Sequence, residues 1–223
     1  MPKASKNKAK KTDHIIAALC DDLRPVKPLP KPHILLLVWF GGAVLIVAGM
    51  VWVMGMRHDA VEKMTEIHFI VRSVGLMVLA GLLAYGGFRL GVPDSPARHR
   101  IWAALCFGSL GFWFIALGYA VFDVSAAALL AEAQTPHHDC SSFIMAGGAG
   151  AAFLMFIMLH DALPLRPCVT GLAAATAAAT LGFIGSVYFC SLETPQHIAI
   201  WHMLPVLVIS VVFAAIARFM LKK

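Results

Sequence analysis

Six long apolar runs, separated by short polar stretches, organise the chain beyond residue 33. They are Ile34–Met56, Ile67–Gly91, Ile101–Asp123, Ser142–His160, Cys168–Cys190 and Ile198 to about Leu221. Each is close to the ~20 residues that a helix needs to cross a hydrocarbon layer of about 30 Å. None alternates polar and apolar positions with the period of two that marks a barrel strand. In lipid a backbone amide can pair only with another backbone group, so the runs are predicted to be helices. The fold class expected is all-α: a polytopic bundle of six transmembrane helices over residues 34–221, behind a polar N-terminal tail, residues 1–33.

The tail has a pattern of its own. Residues 1–11 form a Lys-rich lead, and Thr12 or Asp13 can cap a short helix running from about residue 13 to residue 23. Ile15, Ile16, Leu19 and Leu23 fall on one face of that helix, with Asp21 and Asp22 on another. Residues 24–32 place a proline at nearly every second position, which excludes helix and predicts a semi-rigid extended strap. A helix of ~11 residues is marginal in water by itself. Its apolar face therefore needs a surface, and two are open: anionic lipid, or a groove on a partner protein.

Composition agrees with the spans. The chain is 60% hydrophobic and 13% charged, about half the charge of a soluble domain, so it cannot cover itself with polar surface. A net charge of +6 would suggest nucleic acid, but the Lys and Arg sit in the tail and at span ends and form no basic stripe. Their placement is topological. The tail and the even-numbered side carry nearly all of them, whereas residues 124–141 and 191–197 carry none. Basic residues stay in the cytoplasm, so both termini are expected there, in the inner membrane of a bacterium. The polar start lacks the layout of a signal peptide and is expected to be retained. Small residues dominate Ala173–Thr180, so the fifth helix is expected inside the bundle. Gly87 and Gly91 spell a GxxxG pattern at a span end.

Chemistry is sparse. The sequence has no Walker loop, HExxH, GxSxG or CxxC, and no enzyme is expected. Charges deep in the spans, which ion-coupled carriers need, are missing as well. Cys20, Cys106 and Cys168 are expected to be bystanders, buried or reduced. Cys140 and Cys190 both lie at the outer side, just before the fourth span and at the end of the fifth. The short connection at residues 161–167 makes those helices antiparallel neighbours, axes about 8–10 Å apart, which brings the two sulfurs within reach of each other. Three readings stay open for the pair: a structural disulfide, a redox switch, or a site for a soft metal ion such as Cu or Zn. His137, His138, His197 and His202 are the candidate metal ligands beside it. A transporter of small molecules or metals, and a membrane thiol or haem redox protein, are the alternative functions.

Several motifs together resemble one family. Asp13-His14-Ile15-Ile16-Ala17-Ala18-Leu19 with Asp22-Leu23-Arg24-Pro25-Val26-Lys27-Pro28-Leu29-Pro30 is similar to the N-terminal signature of the NrsF-type membrane anti-sigma factors. Cys140, Leu163-Pro164-Leu165-Arg166-Pro167, Cys190 and Trp201-His202-Met203-Leu204-Pro205-Val206 extend the resemblance, which covers residues 13–218. It implies a negative regulator that holds an extracytoplasmic-function (ECF) sigma factor with its N-terminal segment. On this resemblance Ile15, Ile16, Leu19 and Leu23 become the sigma-binding face. Cys140 and Cys190 become sensors of metal or oxidative stress.

Overall fold

The computed structural model describes residues 15–18, 20–21, 30–92, 96–160, 162 and 164–221, with the backbone alone at 96–98. Among them there is no strand. Nine α-helices are formed by described residues 30–221: α1 Pro32–Met54, α2 Ala60–Lys63, α3 Ile67–Leu90, α4 Pro96–Val121, α5 Ala126–Ala133, α6 His138–Leu159, α7 Pro167–Phe189, α8 Pro195–His197 and α9 Leu204–Met220. A π-helical turn, Ile198–Met203, joins α8 to α9. Six helical segments are long and apolar enough to cross a membrane, the last being α8, the π turn and α9 together. The chain is a multi-pass, all-helical membrane protein.

Span boundaries follow local chemistry. Pro32 opens α1 two residues before the expected start, because proline supplies a helical φ and the first helical position needs no N–H. Gly55, at φ 89°, ends it in a conformation that side chains rarely adopt. Two differences matter for the site. The fourth span begins at His138, not Ser142, so Cys140 sits in its first turn. The stretch read as a loop at 124–141 contains α5, whose N-cap Ser125 accepts a hydrogen bond from the Ala128 N–H at 3.2 Å.

As expected, α7 is the axis of the bundle. Every residue from Thr170 to Val187 is buried, and α7 touches all five other spans. Small residues make this possible by letting backbones approach. A Cβ built on Gly182 would stand 3.1 Å from the Ile144 carbonyl oxygen and 3.4 Å from the Gly148 nitrogen, both backbone atoms that cannot swing aside. Leucine at Gly182 is therefore expected to destabilise the bundle by about 3 kcal/mol or more, read as a lowered thermal midpoint of the detergent-solubilised protein. Gly87 and Gly91 are used within the chain: added Cβ atoms there would strike Met155 and Leu159 of α6.

Several hydroxyls inside the bundle pair with carbonyls of their own helix, since lipid offers no partner. Thr180, Ser186 and Ser210 donate to the carbonyls of Thr176, Phe183 and Val206 at 2.7–2.8 Å. Trp39 Nε1 donates to the Ala151 carbonyl at 2.8 Å and ties α1 to α6. The outward surface is apolar, with Leu37, Val38, Leu45, Ile115 and Phe219 exposed where acyl chains belong.

In the tail, residues 15–18, 20 and 21 are helical and exposed, and Ile15 and Ile16 are each about half accessible (51% and 52%). Leu19 and Leu23, the expected cap at Thr12 or Asp13, and residues 22–29 lie outside the described residues. Cys106 is buried, while Cys20 and Cys168 are exposed.

Candidate functional site

The last span begins with a local irregularity that has a sequence cause. Pro205 carries no N–H, so the Trp201 carbonyl lacks its usual helical donor, and the chain widens into a π turn over Ile198–Met203. The widening matters for two histidines. Residues five apart on an α-helix diverge by about 140°. The i→i+5 spacing of the π turn instead brings His197 and His202 to one side, edge to face with ring centroids 5.2 Å apart.

Opposite them stand the two cysteines. Cys140 rises in the first turn of α6, and Cys190 follows the last turn of α7. One ligand atom from each of Cys140, Cys190, His197 and His202 lies within 4.8 Å of every other, and all four residues are buried. In a tetrahedral zinc site, with Zn–S near 2.3 Å and Zn–N near 2.0–2.1 Å, ligand atoms stand roughly 3.3–3.8 Å apart. The Cys190 Sγ–His197 Nε2 separation, 3.4 Å, already falls in that range, and the other pairs stand at no more than 4.8 Å. Both sulfurs are thiols, not joined to each other.

The histidines are oriented by outer partners. His197 Nδ1 lies 2.8 Å from Glu132 Oε1, and its Nε2 lies 3.4 Å from Cys190 Sγ. A carboxylate only accepts, so Nδ1 carries the proton and Nε2 presents its lone pair to the sulfur. His202 Nδ1 lies 3.1 Å from Ser186 Oγ. That hydroxyl already donates to the Phe183 carbonyl at 2.8 Å, so it accepts from His202 Nδ1–H. His202 Nε2 is then an acceptor, buried and without a partner. Two imidazoles with Nε2 unprotonated and Nδ1 anchored, one of them on a carboxylate, match the arrangement that metal-binding histidines require. A d¹⁰ or soft cation suits a set of two thiolates and two imidazoles. The same thiols can also give up two protons and two electrons to form a disulfide.

A charged clamp flanks the cradle. The Arg57 side chain is 2% accessible and grips Asp59 with two bonds, Nε to Oδ1 at 2.6 Å and Nη2 to Oδ2 at 2.8 Å. Its Nη1 reaches the Cys190 carbonyl at 3.1 Å and Glu193 Oε1 at 3.0 Å. The hydrogen bond from Arg57 holds the Asp59 carboxyl at about 2, against its ordinary 3.8 and against the opposing effect of desolvation. Desolvation also works against charge on Glu193, but Arg57 and Lys63 outweigh it and the net shift is downward. A carboxyl depressed in the fold stabilises it above the ordinary value and stops doing so only as pH falls through the depressed one. The clamp is therefore fully charged at any pH near neutrality.

Of the residues expected from sequence, Cys140, Cys190, His197 and His202 come together. His137 and His138 do not join the four. His137 packs edge-on against His197 at 5.0 Å and shares a second group with Glu132, and His138 packs against Trp201 at 5.1 Å. Sequence reasoning missed Glu132, Ser186 and the clamping role of Arg57. Glu132 carries a faint signal, as the lone acid in the apolar helix AAALLAEA; Ser186 carries none. Outer partners typically contribute 10–100-fold to metal affinity. Glu132→Gln is accordingly expected to weaken cadmium binding by roughly tenfold, read by competition with a chromophoric chelator.

Comparison with curated proteins finds no match, and comparison with solved structures finds none. A family model described as NrsF, negative regulator of sigma F, matches residues 19–222, a stretch that holds all four cradle residues and every spanning helix. The chain belongs to the NrsF family of negative regulators of sigma F.

Proposed function

We propose that this protein is an anti-sigma factor of the bacterial inner membrane. It holds an ECF sigma factor with its cytoplasmic N-terminal segment and releases it when a metal ion or an oxidant reaches Cys140 and Cys190. One observation carries the reading: a buried Cys/His cradle lies at the far end of α1 from the tail. The 23 residues of α1 place about 35 Å between the two. That distance supports a reading in which the tail lies in the cytoplasm and the cradle at the periplasmic face, where envelope stress arrives.

The energetics are adequate. Moving a two-state system from 1:99 to 99:1 requires about 5.5 kcal/mol of differential affinity. Metal bound by thiolates and imidazoles supplies about 10–16 kcal/mol in structural sites, whereas an exposed ion pair supplies ~1 at most. Only the difference between states counts, so a metal that binds one arrangement of α6, α7 and the π turn about 10⁴-fold more tightly than another displaces the sigma factor. Oxidation acts on the same elements, as a two-electron acceptor such as a peroxide joins the sulfurs and two protons leave.

The test uses the full chain in lipid nanodiscs with the sigma factor that co-purifies with it. Cadmium is expected to produce a thiolate-to-metal ultraviolet band and to release the sigma factor over the same concentration range. Loading of the cradle with the sigma factor still bound, by cadmium and by peroxide alike, would refute the proposal.

A further inference from the structure

We propose that Arg57 is the joint through which the cradle acts on the first spanning helix. This rests on the functional reading above and names the route that reading needs. The helix that leads to the tail, α1, ends three residues before Arg57. Its fully buried stripe is Trp39, Ala43, Val47 and Val51, with Leu35, Leu36, Phe40 and Met50 packed half-buried against the core beside it. At its outer end the hold becomes polar. The Arg57 N–H donates to the Tyr188 carbonyl at 3.0 Å, and its Nη1 reaches the carbonyls of Cys190 at 3.1 Å and Val187 at 3.5 Å.

Those carbonyls belong to the last turn of α7 and the residue after it, where helical partners run out. Arg57 caps that turn from another segment of the chain, and its positive charge suits the negative end of the helix dipole. Asp59 and Glu193 hold the guanidinium from both sides, and Lys63 adds a second tie to Glu193 at 3.4 Å. The loop after α1 and residues 187–193 are thus one unit, with Cys190 inside it. Gly55, which alone among the described residues has positive φ, lies between α1 and that unit. Drawing Cys190 Sγ toward a cation moves its own carbonyl, which is an acceptor of Arg57. The displacement passes through Arg57 to the end of α1, and along that helix to the tail.

A residue that serves only for folding would affect accumulation, or binding and release together. A joint separates them. With Arg57→Gln, cadmium binding in nanodiscs is expected to stay within about threefold of the parent, and sigma-dependent reporter transcription without cadmium to stay low. Cadmium induction of the reporter is expected to fall at least about tenfold, since coupling between two sites is a quantity distinct from affinity at either. Arg57→Lys, which keeps the charge but not the forked geometry, is expected to restore induction in part. Parental induction in Arg57→Gln would overturn the joint while leaving the cradle in place. Absence of the cadmium band in the parent would instead remove the functional reading and the joint with it. Should Arg57→Gln fail to accumulate, Glu193→Gln provides the same discrimination from a more exposed position. It removes the negative charge that pairs with Arg57 and Lys63 and is expected to lower induction about threefold, whereas unchanged induction there counts against the joint.

Discussion

Serine at both Cys140 and Cys190 is expected to leave the protein folded, in the membrane and holding its sigma factor, yet unresponsive to cadmium and peroxide. The substitution is nearly isosteric, and a hydroxyl at Cys190 can still donate to His197 Nε2 as the thiol does. Packing is therefore disturbed little. The chemistry is lost entirely: a hydroxyl does not ionise near neutral pH, is a hard donor and cannot form a disulfide. Removing two of four ligands, both of them the anionic ones, should weaken cadmium binding by at least about a thousandfold. Reporter transcription with and without cadmium provides the measurement. Full induction in the double variant would show that the signal enters elsewhere.

The second large effect lies at the opposite end. Aspartate at Ile16 and Leu19 together is expected to abolish sigma capture and leave the reporter high with or without cadmium. Ile16 is 52% accessible in the protein alone, so its side chain is available to a partner. Burying an Ile or Leu side chain contributes about 1.5–3 kcal/mol, and a charge in its place adds a desolvation cost. Two such changes correspond to a loss of roughly 10²–10⁴ in affinity. Cadmium binding should be unchanged, because the cradle is a whole helix length away. The readout separates the two surfaces that the apolar face allows. If the helix only rests on lipid, the variant will still hold the sigma factor, and only vesicle association will fall.

How much of this is legible in the sequence alone? The spans are, because crossing lipid demands a run of apolar residues and allows only one backbone arrangement. The central position of α7 is legible too, since Ala173–Thr180 offers small side chains and little else. The cysteine pair follows from a short connection between two antiparallel helices. Four histidines were candidates, and the fold brings two of them, His197 and His202, to the cysteines. The difference between His138 and His202 lies in rotation about a helix axis, which hydropathy does not encode. His202 turns inward because Pro205 forces a wider turn; His138, at the start of α6, turns to Trp201 instead. Arg57 was visible only as a loop charge. Nothing local marks it as the cap of a helix more than 100 residues further on.

What the sequence determined by itself is everything that depends on the solvent: six crossings, a polar tail, an axial helix of small residues, and two sulfurs at one end. The cradle was decided by tertiary structure. Its ligands come from the start of α6, the end of α7 and the turn before α9, and Glu132 comes from α5. Their meeting depends on how each helix is rotated and how deep it sits. In lipid an apolar side chain reads alike whether it faces the bundle or the acyl chains, so only close packing of small residues sets those rotations.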